Sequence, residues 1–184
     1  MATTRIHMTA EEYKALPETS QPMELINGEV IVSATPLHTH QRIVMKLIQL
    51  LLPLVPAGGE LVTAPDDVYL DALNIVQPDV FLIMGQKSLC KLGANGYLHG
   101  APDLVCEILS ASTATHDKRE KFILYQTYGV KEYWLVDPAN QWIEVFTQQD
   151  DKLILVAVYH KTKFISPLLQ REIDINAIFT GIFS

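Results

Sequence analysis

Cysteine is nearly absent from the chain: Cys90 and Cys106 are the only two in 184 residues. They lie too far apart for a CxxC motif and no second pair exists, so a thiolate zinc site is not supported and free, reduced thiols are expected. No run of about eighteen or more uninterrupted apolar residues is present, which removes a membrane-spanning helix from consideration. The segment Met1 to Thr9 is short and polar and lacks the apolar core and cleavage site of a secretory signal, so a cytoplasmic location is expected. No glycine-rich loop follows a predicted strand, which disfavours a nucleotide-binding enzyme. Repeats, low-complexity tracts and linkers are also missing, and one domain over residues 1–184 is expected. Positive charge is scarce as well, with 14 Lys and Arg against 21 Asp and Glu and a formal charge of -7. That balance opposes tight, sequence-independent binding to a phosphate backbone, so any nucleic-acid contact must be local. A metal-dependent phosphodiesterase can still carry it, because the recruited cation supplies positive charge.

What is present reads as alternating strands and helices. Met23 to Val32 holds two strand-like runs joined by Asn27-Gly28, a strong hairpin signal because both residues tolerate positive φ. His38 to Leu52 carries Ile43, Leu47, Leu50 and Leu51 at helical spacing before Pro53. The stretches around Leu61 to Leu70 and Asn74 to Met84 predict one strand each, with a turn at Asp71 to Leu73. Gln86 to Gly100 predicts a loop or short helix. Leu104 to Leu109 is a short apolar run expected of a strand covered on both faces. Ser112 or Thr113 can cap a helix running to about Tyr128, Gly129 ends it, and Glu132 to Val136 returns to strand. Gln141 to Phe146 and Leu153 to Tyr159 predict a second hairpin, and Ile175 to Phe183 a weak terminal helix.

Two acids interrupt the apolar runs: Asp79, within Ile75 to Ile83, and Glu107, within its own strand. Burying an ionised carboxylate without a partner costs several kcal/mol, on the order of a whole domain's margin. A hard divalent cation such as Mg²⁺ or Mn²⁺ compensates naturally, since it takes oxygen ligands and often uses one or two carboxylates with waters and a substrate phosphate. The alternative is a nearby Lys or Arg, or a solvated strand end. Alternation puts Asp103, Val105, Glu107 and Leu109 on one strand face and Leu104, Cys106 and Ile108 on the other, making Cys106 core filling. Asp103 lies roughly 13 Å along the strand from Glu107, too far to share a metal. On the following helix Asp117, Lys121, Tyr125 and Tyr128 form one stripe that can face the sheet. Such a stripe serves either as an ordinary packed and paired face or as the source of an ammonium that orients water or neutralises charge building on phosphorus. Lys118 is the fallback.

Taken together, Pro78-Asp79, Glu107-Ile108-Leu109-Ser110, Asp117, Lys121, Tyr125 and the run Gly129-Val130-Lys131-Glu132-Tyr133-Trp134-Leu135-Val136-Asp137-Pro138 resemble the Uma-two family of restriction endonucleases. The resemblance covers most of the chain, from Asn27 to Phe179. It implies an α/β (α+β) restriction-endonuclease-like PD-(D/E)XK core, a central mixed β-sheet flanked by helices, acting as a Mg²⁺- or Mn²⁺-dependent endonuclease on DNA. The superfamily motif would place a lysine two residues after Glu107, where this chain has Leu109. The resemblance therefore implies that the lysine has migrated to Lys121, giving a catalytic set of Asp79, Glu107 and Lys121. It also implies an additional metal-binding acid, Glu29 or Glu24, with His40 as a further candidate. A homodimer is expected from the apolar hairpin residues Trp142, Phe146 and Tyr159. The competing expectation keeps the fold without the chemistry, as a dimeric scaffold or nucleic-acid-binding module.

Overall fold

The computed structural model describes residues 7–17, 19, 21–110 and 117–182. The hairpin pairs β1 (Met23–Ile26) with β2 (Glu29–Val32), and its turn has positive φ at both Asn27 (52°) and Gly28 (78°). Asparagine and glycine are the residues that accept this geometry at least cost, and its twist matches that of the strands. Helix α2 (His38–Leu51) follows α1 (Ala10–Lys14) and buries Ile43, Val44, Leu47 and Leu51 along one stripe.

The two expected long strands are each two short ones. Leu61 to Leu70 divides into β3 (Glu60–Thr63) and β4 (Val68–Tyr69), and Asn74 to Met84 into β5 (Ile75–Val76) and β6 (Val80–Ile83). Pro65 and Pro78 stand between the halves, and proline, lacking an N–H, cannot carry a ladder through. Each half joins a different sheet, so the chain twice crosses between layers. Gln86 to Gly100 contributes β7 (Lys91–Leu92) and β8 (Leu98–His99) where a loop or helix is expected. With them the outer sheet has the order β2-β1-β5-β4-β8-β7.

The central sheet adds β9 (Leu104–Ile108), β10 (Glu132–Asp137), β11 (Trp142–Gln149) and β12 (Lys152–His160), in the order β12-β11-β10-β9-β6-β3. It is mixed: β9 and β10 run parallel, and the other pairs are antiparallel. Between β9 and β10 lies a wide turn, Asp117–Lys121, leading into α3 (Phe122–Tyr128), which Gly129 closes at φ 86°. The left-handed conformation at the helix end is the one glycine supplies without a Cβ clash. The expected caps Ser112 and Thr113 lie outside the described residues. A ribbon of β13 (Lys163–Ile165) and β14 (Glu172–Asp174), which the sequence pattern does not announce, precedes α4 (Ile175–Phe179).

Strand alternation gives the central sheet two apolar faces. Leu104, Cys106, Ile108, Trp134 and Val136 pack with α2 and α4, while Val105, Tyr133 and Leu135 pack with α3 and the outer sheet. Cys106 is core filling, as its position in the alternation predicts. Glu107 belongs to the second face, inside the layer between the sheets.

Candidate active site

The chain turns from the outer sheet into the central one at Pro78, and that corner positions Asp79. Val80 pairs with Cys106, so Asp79, one residue earlier, stands level with Glu107. The two acids are close: Asp79 N lies 3.5 Å from Glu107 Oε2, and Asp79 Oδ2 accepts the Ile108 N–H at 2.8 Å. Glu107 is 2% exposed. Its Oε1 accepts from the Tyr125 hydroxyl at 2.6 Å and lies 2.6 Å from the Lys121 ammonium.

Lys121 and Tyr125 are the sheet-facing members of the expected helical stripe, both buried, while Tyr128 turns its hydroxyl to Asp71. The side chains of Asp117 and Lys118 lie outside the described residues. The ammonium of Lys121 also lies 3.0 Å from Glu24 Oε1, which in turn accepts the Gln77 N–H at 2.7 Å. The amide of Gln77 donates to Asp67 Oδ1 at 2.8 Å. Burial raises the Asp67 carboxyl above its usual range, opposed by this hydrogen bond and assisted by the charge of Glu24. Burial, then the charges of Glu107 and Glu24, push the Tyr125 phenol well up, so it donates rather than ionises.

The hairpin acid in this group is Glu24. Glu29 sits beside the turn, paired with Ile26, and its carboxylate lies 3.8 Å from His7. Both acids share one side of the hairpin, but they are about two residues apart along it, and the reach of Glu24 is set by the Leu25–Ile75 pairing that docks β1 on β5. No local pattern encodes that choice. Asp103 is a separate structure at the other end of β9, bonded to the Met84 N–H at 2.7 Å and the Lys131 ammonium at 2.6 Å. His40, in the first turn of α2, brings Nε2 to 3.1 Å from Asp79 Oδ2. The resemblance implies His40 as a further metal candidate, and no local pattern announces its bond to Asp79.

The chemistry of the donor set suits a hard cation. Asp79 is 19% exposed at its side chain, and both described hydrogen bonds of its carboxylate fall on Oδ2. Two carboxylates from adjacent strands are what Mg²⁺ commonly takes from a protein, the rest being water and substrate oxygen. Among the described residues no group of three or more His, Cys, Asp or Glu is arranged to hold an ion by itself.

This layered mixed sheet with its flanking helices is a restriction-endonuclease-like fold. A crystal structure from Anabaena variabilis, described as “a putative nuclease belonging to DUF820”, shares the fold at a TM-score of 0.78 and 20% identity, covering 95% of this chain and 99% of that one. The chain belongs to the Uma2 family, whose model, described as “Putative restriction endonuclease”, matches residues 10–177. It is also 28% identical over 156 residues to the uncharacterised protein sll1609 of Synechocystis sp., spanning 83% of this chain and 86% of that one.

Proposed function

We propose that the protein is a metal-dependent endonuclease hydrolysing DNA phosphodiester bonds, with Asp79 and Glu107 holding Mg²⁺ or Mn²⁺ and Lys121 as the third catalytic group. The observation that carries this reading is the Lys121 ammonium at 2.6 Å from Glu107, beside Asp79, where the chain has Leu109 in place of the motif lysine. A bound divalent ion would polarise a phosphoryl oxygen and ease deprotonation of water. The protein's own contribution is positional and electrostatic. Lys121, fixed between Glu24 and Glu107, presents a desolvated positive charge where a phosphate would gain negative charge as water attacks and one P–O ester bond breaks. Single preorganised donors of this kind are typically worth about 10²–10³ in rate. Tyr125 holds Glu107 in place by its hydrogen bond. Glu24 serves Lys121 here, and the metal role expected of Glu29 has no comparable geometric support.

The competing reading, a catalytically inactive scaffold or nucleic-acid-binding module, draws support from the absence of a three-ligand cluster among the described residues and from the charge of -7. Plasmid cleavage separates the two. Wild type should cut in Mg²⁺ or Mn²⁺ and not in EDTA, and Asp79→Asn and Glu107→Gln should each lose activity; cleavage that survives EDTA or both substitutions sinks the proposal.

The same reading includes a homodimer and a cytoplasmic setting. Support for the dimer lies on β12, an edge strand with Ile154, Leu155, Val156 and Val158 all more than 40% exposed. Both cysteines are free and buried, as suits a reducing compartment. No described helix is long and apolar enough to cross a membrane.

A further inference from the structure

We infer that His40 is a positioning residue for Asp79: its Nε2–H fixes one carboxylate oxygen and so decides which oxygen is offered to a cation. The inference rests on the reading of Asp79 as a metal ligand. An ionised carboxylate only accepts, so the bond at 3.1 Å is made by an Nε2–H donor. The Ile108 N–H, at the end of β9, reaches the same oxygen, Oδ2, at 2.8 Å. Two donors converging on Oδ2 from different elements pin the carboxylate plane. Oδ1 has no described hydrogen bond, and it is the atom left to face a ligand.

His40 is held for this task by the rest of α2, whose Ile43, Val44 and Leu47 are locked into the core three to seven residues later. Its side chain is 12% exposed, and Nδ1 is buried without a hydrogen-bond partner among the described residues. An unmatched buried nitrogen is costly, so an aliphatic side chain would fill this space better. What the imidazole supplies instead is the bond to Asp79. Partners that orient a ligating carboxylate typically change metal affinity by about 10–100-fold when removed.

The test is Mn²⁺ binding to metal-free protein by calorimetry, alongside thermal melts, for wild type, His40→Leu, His40→Asn and His40→Gln. Leucine fills the space without a donor. Asparagine is polar but too short to reach Oδ2, whereas glutamine can bring an amide N–H close to the place of Nε2. Leucine and asparagine should weaken Mn²⁺ binding by about 10–100-fold, and glutamine should restore most of it. Wild-type affinity in His40→Leu or His40→Asn, or no recovery in His40→Gln, overturns the inference alone. Failure of the wild type to bind Mn²⁺ overturns the cation reading and this inference with it.

Discussion

Lys121 and Glu107 form a buried ion pair 2.6 Å long, with Lys121 3% exposed and a second carboxylate, Glu24, 3.0 Å from the ammonium. The lysine therefore has a structural task as well as a proposed catalytic one: it places an ammonium between two buried acids. Removing one partner of a buried pair costs about 3–5 kcal/mol. Lys121→Ala should accordingly abolish cleavage and also lower stability by that order in EDTA. Added Mn²⁺ should recover part of the loss, because a cation at Glu107 replaces the missing positive charge. Denaturation in EDTA and in Mn²⁺ reads both effects, and unchanged stability in EDTA would show that the ion pair contributes little.

Tyr125 donates to the same Glu107 oxygen at 2.6 Å. Tyr125→Phe keeps the packing against Tyr133, whose ring centroid lies 5.2 Å away, and deletes only the hydroxyl. Stability should fall by about 1 kcal/mol, and the cleavage rate should fall roughly tenfold as Glu107 gains freedom. Single-turnover kinetics at saturating Mn²⁺ checks this, and a wild-type rate would mean that the Tyr125 hydroxyl does not orient the carboxylate.

The exposed apolar edge makes the dimer testable. The hairpin aromatics expected to supply the contact are largely used within the chain: Phe146 packs edge-on against Phe122 at 5.1 Å, and Tyr159 stacks on Phe164 at 4.5 Å. Ile154 and Val158, 45% and 48% exposed, are the better interface candidates. Light scattering of wild type should give about twice 20.6 kDa, and Ile154→Lys with Val158→Lys should return the monomer mass. A wild-type monomer at high concentration would remove the dimer from the proposal.

The parts of this arrangement legible in sequence are those that a local pattern can encode. Asp79 and Glu107 stand out because each breaks an apolar run, and Lys121 because it shares a helical face with Tyr125. The split of each long apolar stretch into strands of two different sheets was not legible, although Pro65 and Pro78 mark the corners. The resemblance offers Glu24 and His40 as metal candidates, but their contacts with Lys121 and Asp79 are not legible in the sequence. Glu24 reaches Lys121 through the docking of one hairpin on β5, and His40 meets a residue 39 positions away. Contacts of that kind depend on how layers pack, which residue periodicity does not record.

The unannounced ribbon of β13 and β14 has its own anchor. Glu132, fully buried, accepts from Ser166 Oγ at 2.9 Å, from Leu168 N at 2.6 Å and from Trp134 Nε1 at 2.5 Å. Burial raises its carboxyl, partly offset by these three donors. Glu132→Ala strands all three, and at about 1–3 kcal/mol for each unmatched group the loss should exceed roughly 3 kcal/mol. Because Glu132 faces away from Lys121, with Trp134 and the α2 layer, the variant should keep its Mn²⁺ affinity wherever it remains folded. Calorimetric melts paired with Mn²⁺ titration test both statements, and weakened Mn²⁺ binding in folded protein would show that the two ends of the sheet are coupled.

Asp103 offers a pH-dependent test that leaves the proposed catalytic groups untouched. Burial pushes its carboxyl up, but the Lys131 ammonium, Ser88 and the Met84 N–H together outweigh burial and hold it below the usual carboxylate range. A depressed folded value means that the folded state binds the proton less readily than the unfolded chain. The stabilisation is therefore complete above the unfolded value of about 4 and is lost as pH falls through the folded one. Asp103→Asn should cost about 1–3 kcal/mol at pH 7, and the gap from wild type should narrow steadily below about pH 4. Lys131→Ala should cost less, since Lys131 is 41% exposed at its side chain and its attraction is screened by water, while the bonds from Met84 and Ser88 remain. Urea denaturation of the three proteins at pH 7 and pH 3 gives the comparison. A gap between wild type and Asp103→Asn that is the same at both pH values would mean that the lost contribution is packing and neutral hydrogen bonding rather than the ionised carboxylate.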